Sequence, residues 1–279
     1  MIRMLAFLFL FLGLGTLALE QANPLLIYPY DATEEAPSPA AHSAGVRAYD
    51  LDGPEGRVVV WAVPPRGNKP TVFYLHGNAG NLTNREGRFR RFHQSGFGVF
   101  APAYPRSSGS EGRPSEAALI STVKFAYDSL KSDDQFAAFE GPVVVYGESL
   151  GSAVGLGLIE ALEASGEKDL PTGIVLEAPF ASISDMAQAT VGDIGQIAPV
   201  FMDSWNSDER AAEMSLPLLV IHGKRDRVVP ISQGQAVYEA AGSAKKKIMR
   251  VPDANHVNLW ASGILTQVFG HMALKDLGL

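Results

Sequence analysis

The chain has 279 residues with a net charge of -7 at pH 7, and 46% of its positions are hydrophobic against 19% charged. That is enough apolar material for one large α/β core, and no basic stripe of the kind that tracks nucleic acid stands out. Cysteine is absent, which excludes disulfides, thiolate metal sites and a cysteine nucleophile.

From the N-terminus, Arg3 precedes an uncharged apolar run from Leu5 to Leu19. At roughly 15 residues the run suits a signal-peptide core and falls short of the roughly 20 that a spanning helix needs. Thr16 and Ala18 form a small-x-small cleavage pattern, and the flank after the run is acidic. Residues 1–19 are therefore expected to be a signal peptide or an N-terminal membrane anchor. Because the positive flank stays inside, the rest of the chain is expected to be exported, either secreted or tethered in a periplasmic or other extracytoplasmic space.

Residues 20–44, rich in proline and alanine, read as a connector, and residues 45–279 as one domain. Strands are expected at Arg57 to Val63, Thr71 to His76 and Phe97 to Ala103, the last followed by a Gly/Ser/Pro loop. A helix follows from Ser115 to Leu130, with Ser115 as its N-cap, or with Pro114 at its first position if it starts one turn earlier. Further on, strands are expected at Pro142 to Tyr146, Gly173 to Leu176, Pro217 to Ile221 and Lys247 to Val251. Helices are expected at Ser152 to Leu162, Ser232 to Ala241 and His256 to Leu274. The strands are continuous apolar runs, the signature of a mostly parallel central sheet with helices on both faces. Lys245, Lys246 and Lys247 read as a solvated turn before the last strand. Residues 179–214 break the rhythm as a short cap insertion. Its apolar side chains, Phe180, Met202 and Trp205 among them, either pack against the sheet or line an acyl slot.

Chemistry concentrates at strand ends. Gly147-Glu148-Ser149-Leu150-Gly151 is a G-x-S-x-G sequence between the strand PVVVY and the helix SAVGLGLIEAL. That setting makes a nucleophile elbow, a turn so tight that glycine is needed two residues either side of the serine. A serine hydroxyl needs a base, and the base an orienting acid. His256 follows the last strand, where such a base belongs. Asp226, in the loop after PLLVI, is the expected acid, with Asp253 as its rival three residues before the histidine. The turn His76 to Asn81 after TVFYL can aim a backbone N–H at a developing oxyanion, so the N–H groups of Asn78 and Leu150 are the expected oxyanion hole. His76 itself reads as a structural strand-end residue.

HGNAGN, APAYPRSSGSEGRPSE, GESLG, HGKRDRVVP and the final NH, in this order, resemble the α/β-hydrolase superfamily over residues 57–279, particularly its small abhydrolase-domain group. The resemblance implies an α/β-hydrolase fold and the roles of Ser149 as nucleophile, Asp226 as acid and His256 as base. Tyr104-Pro105-Arg106 departs from the commoner Tyr-Arg-Gly of that loop. The expected activity is hydrolysis of a carboxylic ester or thioester through an acyl-enzyme, with no cofactor or metal. Expected partners are a small acyl ester, a lipid or an acylated substrate, with possible membrane association through residues 1–19. The alternatives are a serine peptidase, or a non-catalytic ligand-binding protein of the same fold.

Overall fold

The computed structural model describes residues 27–191 and 203–262. Its centre is an eight-stranded sheet in the order β1-β2-β4-β3-β5-β6-β7-β8. The strands are β1 (Arg47–Gly53), β2 (Gly56–Val63), β3 (Thr71–Leu75), β4 (Gly98–Pro102), β5 (Val143–Glu148), β6 (Gly173–Glu177), β7 (Leu218–Gly223) and β8 (Lys246–Val251). β2 pairs antiparallel with both β1 and β4, and every pairing from β4 through β3, β5, β6 and β7 to β8 is parallel.

The seven strands anticipated from apolar runs are all present, each within about two residues of the expected ends, which is the ordinary uncertainty of an element boundary. Successive side chains along them alternate faces. Val143 and Val145 of β5 join one buried cluster with Phe73, Leu75, Ile174, Leu176, Leu218 and Val220. Val144 and Tyr146 join the other, with Val72, Tyr74, Val175, Leu219 and Ile221. A strand buried on both faces has no polar side to show, hence the unbroken runs.

Seven α-helices are described: α1 (Pro39–Ser43), α2 (Glu86–Gln94), α3 (Glu116–Ser132), α4 (Leu150–Ala164), α5 (Ile183–Val191), α6 (Ser207–Glu213) and α7 (Ile231–Ala240). The Ser115 hydroxyl caps α3 by accepting from the Ala118 N–H, as expected. Leu119, Val123 and Ala126 of α3 and Val154, Leu158 and Leu162 of α4 cover one face of the sheet. Phe89 and Phe92 of α2 cover the other, with Leu259 and Trp260.

Several features depart from expectation. β1 was not anticipated because it is a half-exposed edge strand carrying Asp50 and Asp52, with no apolar run to betray it. α2 was missed because its sequence EGRFRRFHQ buries only Phe89, Phe92 and His93. The stretch read as a connector is packed onto the domain over its described part. Ile27, Tyr28 and Ala41 are buried, and Tyr30 bridges to Gly80. In place of a helix beginning at His256 there is a turn and then a short 3-10 segment, Leu259–Ser262; the remainder of that expected helix lies outside the described residues.

The cap insertion is described only in its two legs, so Met202 lies outside. Trp205, expected either to pack or to line an acyl slot, is fully buried in the core. Its indole Nε1 donates to the Tyr28 hydroxyl at 3.0 Å, and its backbone N–H to Glu116 Oε2 at 2.9 Å. Trp205 therefore bolts the cap's second leg to α3 and to the N-terminal segment. Trp205→Ala should cost roughly 3–5 kcal/mol in chemical denaturation and lower Tm by roughly 10 °C. A loss below about 1 kcal/mol would place the side chain at a surface.

Candidate active site

Ser149 stands between β5 and α4 with φ 52° and ψ -114°. A positive φ on a residue with a Cβ is strained, and the surroundings hold it there. Its N–H donates to the Glu177 carbonyl at 2.8 Å, tying the turn to β6. The Ser152 N–H closes the first turn on the Ser149 carbonyl at 2.8 Å, and the Ser152 hydroxyl donates to the Gly147 carbonyl at 2.9 Å. Both elbow glycines are sterically required: a Cβ at Gly147 would overlap the Gly151 carbonyl, and one at Gly151 would overlap the Leu75 carbonyl at the end of β3. Among the described residues, neither the Leu150 nor the Asn78 backbone N–H donates to a protein acceptor. Leu150 opens α4, where the helix dipole also favours negative charge.

Asp226 and His256 are brought together from the loops after β7 and β8. His256 Nδ1 lies 2.7 Å from Asp226 Oδ2, and Asp226 Oδ1 accepts from the Val228 and Val229 N–H groups, each at 2.9 Å. Burial pushes the Asp226 pKa up, but the hydrogen bond from His256 and the two backbone donors outweigh it and leave the pKa below its ordinary value. The rival Asp253 is 80% exposed at its side chain and pairs with the exposed Arg225 at 2.7 Å instead. His256 Nε2 is the nitrogen not engaged by Asp226, and the ring is partly open to solvent. Ser149 and His256 are not joined by a hydrogen bond. A cleft of about 530 Å³ opens beside His256, between the loops of Asp226 and Asp253.

Two histidines support the loops. His222 Nε2 hydrogen-bonds the Val229 carbonyl at 2.9 Å, bracing the turn that feeds Asp226, and burial lowers its pKa. His76, expected to be structural, is buried against the Tyr104 ring, 4.1 Å between centroids. Its Nδ1 hydrogen-bonds the Gly77 carbonyl at 2.8 Å, and burial, helped by the charge of Arg85, lowers its pKa to about 3. Both effects favour the neutral ring.

A charged cluster beneath the elbow went unread in the sequence. The Glu177 side chain is 1% exposed and its Oε2 accepts from Arg88 at 2.7 Å, from Trp260 Nε1 at 3.0 Å and from the Tyr146 hydroxyl. Arg88 also reaches Glu148 at 3.4 Å, and the Tyr74 hydroxyl donates to Glu148 at 2.6 Å. Arg85 pairs with Glu148 at 3.3 Å and donates to the Ala79 and Asn81 carbonyls at 2.6 and 3.3 Å. One buried arginine thus joins the neighbour of Ser149 to the loop that carries Asn78. The signal that could have found the cluster was a glutamate ending each of two apolar strands, VVVYGE and GIVLE, with no solvent to receive it.

Among the described residues no group of His, Asp and Glu side chains is arranged to hold a metal ion.

A parallel sheet of this order, with a serine on a strained turn after its central strand and an Asp–His pair at the ends of later strands, defines an α/β-hydrolase. The chain belongs to the α/β-hydrolase superfamily, with relatives among its abhydrolase-domain proteins. The family described as serine aminopeptidase, S33, matches residues 201–259. Protein bem46 of Schizosaccharomyces pombe is 32% identical over 192 residues, which span 68% of this chain and 62% of that protein. The lysophosphatidylserine lipase ABHD12 of Danio rerio is 30% identical over 190 residues, spanning 63% of this chain and 48% of that one. An esterase of Pyrococcus furiosus shares the fold with a TM-score of 0.67 at 15% identity, over 90% of this chain and 98% of its own.

Glu148 offers a test of the cluster. Burial raises its pKa, but the charges of Arg88 and Arg85 and the hydrogen bonds from Tyr74 and Arg85 dominate and bring it down to about 2. A carboxylate whose pKa is lower in the folded than in the unfolded chain stabilises the fold above its unfolded pKa, and the benefit is lost as pH falls toward the folded value. The stability gap between wild type and Glu148→Gln should therefore narrow by roughly 1–2 kcal/mol between about pH 7 and about pH 3.5 in urea denaturation. A gap independent of pH would mean the carboxylate is not held charged.

Proposed function

We propose that this chain hydrolyses carboxylic ester or thioester bonds, with Ser149, His256 and Asp226 acting as a triad. The hydrogen bond between His256 Nδ1 and Asp226 Oδ2 carries the reading. It fixes the imidazole tautomer that leaves Nε2 unprotonated, the form that can accept the Ser149 proton as the hydroxyl attacks an acyl carbonyl. The buried carboxylate then steadies the imidazolium that forms. The free N–H groups of Leu150 and Asn78 would hold the oxyanion of the tetrahedral intermediate. The imidazolium next gives its proton to the leaving alcohol or thiol, and water, activated by the same base, releases the acyl group from Ser149.

Esters are favoured over peptides by the kinship with a lipase. The match to the serine aminopeptidase family over residues 201–259 keeps peptide bonds as the second reading. Lipid or other acylated molecules are the proposed substrate class. Ser149→Ala should lower ester turnover by on the order of 10⁴ and abolish fluorophosphonate labelling. Asp226→Asn should cost several orders of magnitude in kcat through the wrong tautomer, whereas Asp253→Asn should change it less than about threefold. Full labelling of the Ser149 variant, or the reverse ranking of the two aspartates, would refute the assignment.

We also propose that residues 1–19 direct export, on the strength of Arg3 followed by the apolar run to Leu19. Among the described residues no helix is long and apolar enough to cross a membrane; residues 1–19 lie outside them. In a bacterial host, protease added outside spheroplasts should then digest the domain, and digestion only after lysis would refute export.

A further inference from the structure

Among the described residues the exposed large hydrophobic side chains are Val228, 61% exposed, and Val257, 79% exposed. Both line the cleft that contains His256, one on the loop of Asp226 and the other immediately after His256. Solvent-facing valines are ordinary singly; two on the lips of one cleft are a shared feature of its mouth. Val257 also borders a second groove of about 430 Å³ between α2 and Trp260.

Charge is segregated at the same place. The linings of the two clefts together hold five arginines, Arg88, Arg90, Arg91, Arg225 and Arg227, against one acidic residue, Asp253. The chain as a whole runs the other way, with 23 basic and 30 acidic residues. Arg88 is committed to Glu177 and Glu148, and Arg225 to Asp253. Arg90 and Arg227 are exposed and make no ion pair among the described residues. Arg91 donates to the Trp260 carbonyl at 2.9 Å, which anchors α2 to the segment carrying Val257.

We propose that this rim is a docking surface for an anionic lipid bilayer, with Val228 and Val257 entering the interface and Arg227, Arg90 and Arg91 meeting lipid headgroups. The pattern fits a bilayer better than an acidic protein. Two branched aliphatic side chains on separate loops offer no aromatic anchor or contiguous apolar patch of the kind a protein hot spot needs. They do suffice to enter the headgroup region, where each basic residue near the surface strengthens binding about fivefold. Docked this way, the His256 cleft would open directly onto the membrane. The inference stands on the two clefts and their charge, independently of whether Ser149 is the nucleophile.

Because the chain has no cysteine, one introduced cysteine can carry a single environment-sensitive fluorophore. Full-length Val228→Cys and Val257→Cys, labelled with a nitrobenzoxadiazole dye, should brighten and shift to the blue on phosphatidylcholine vesicles containing phosphatidylglycerol. Lys168→Cys, in the exposed loop just beyond the far end of α4, should not respond. The response should weaken with added salt, and Arg90→Glu with Arg227→Glu should lower vesicle affinity by tenfold or more. Turnover of a water-soluble ester by Arg90→Glu alone, which lies outside the His256 cleft, should match wild type, and this separates the docking surface from the catalytic assignment. The proposal is overturned if both rim labels stay water-like while the protein sediments with vesicles, since that pattern would mean tethering by another segment. It is equally overturned if the labels respond as strongly to pure phosphatidylcholine, or if the protein binds an acidic protein surface and no vesicle.

Discussion

The arrangement of the site depends on Arg88, which lies between one buried and one partly exposed carboxylate. One is Glu148, the residue before Ser149; the other is Glu177, at the end of the neighbouring strand. A lone arginine or glutamate at this depth would carry a desolvation penalty that no single contact offsets, so removing one partner of such a set is far costlier than never having it. Here the charges neutralise one another, and tyrosine hydroxyls and an indole N–H add hydrogen bonds to Glu148 and to Glu177 Oε2, while Glu177 Oε1 is left without a hydrogen-bond partner. The consequence is geometric. β5, β6, α2 and the segment after His256 all end on one cluster, so loops that would be free to drift at a sheet edge are pinned to common atoms. Arg85 extends the same set to the Asn78 loop.

Above that cluster the backbone does the finer positioning. The strained Ser149 turn survives because Gly147 and Gly151 let α4 press against β3 and β5, and because the Ser149 N–H is held by Glu177. Strain at the serine is offset by packing around it, the common arrangement where a side chain must be presented at an edge. The Asp226 loop is organised the same way. Its carboxylate is shared between two backbone donors and the imidazole, while the buried His222 ring props the turn from below. A similar approach of Gly223 to the Ala254 carbonyl brings the loops of Asp226 and His256 together.

These two layers also separate stability from exposure. The core clusters and the ion cluster lie within and just under the sheet edge. The residues facing solvent around His256 are mostly arginine, valine and asparagine, with Asp253 the one acid among them, and contribute little packing. Such a rim can be shaped by what it meets without disturbing the machinery beneath, which is why its composition can depart so far from that of the whole acidic chain.

Read alone, the amino-acid sequence determined the architecture and the pairing of chemistry with strand ends. Doubly buried strands must be apolar throughout, and a serine at an elbow must be flanked by glycines, so both leave a local and unambiguous trace. The turn before α3 was legible for the same reason, since Ser115 caps the helix with its own hydroxyl. The tertiary structure alone decided the rest. It set His256 Nδ1 against Asp226, the carboxylate expected from its strand-end position, and left the rival Asp253 exposed beside Arg225. It moved Trp205 into the core and revealed β1 and α2, whose half-polar patterns have no single periodic face. Above all it assembled Arg85, Arg88, Glu148 and Glu177, which only the fold brings into one largely buried cluster.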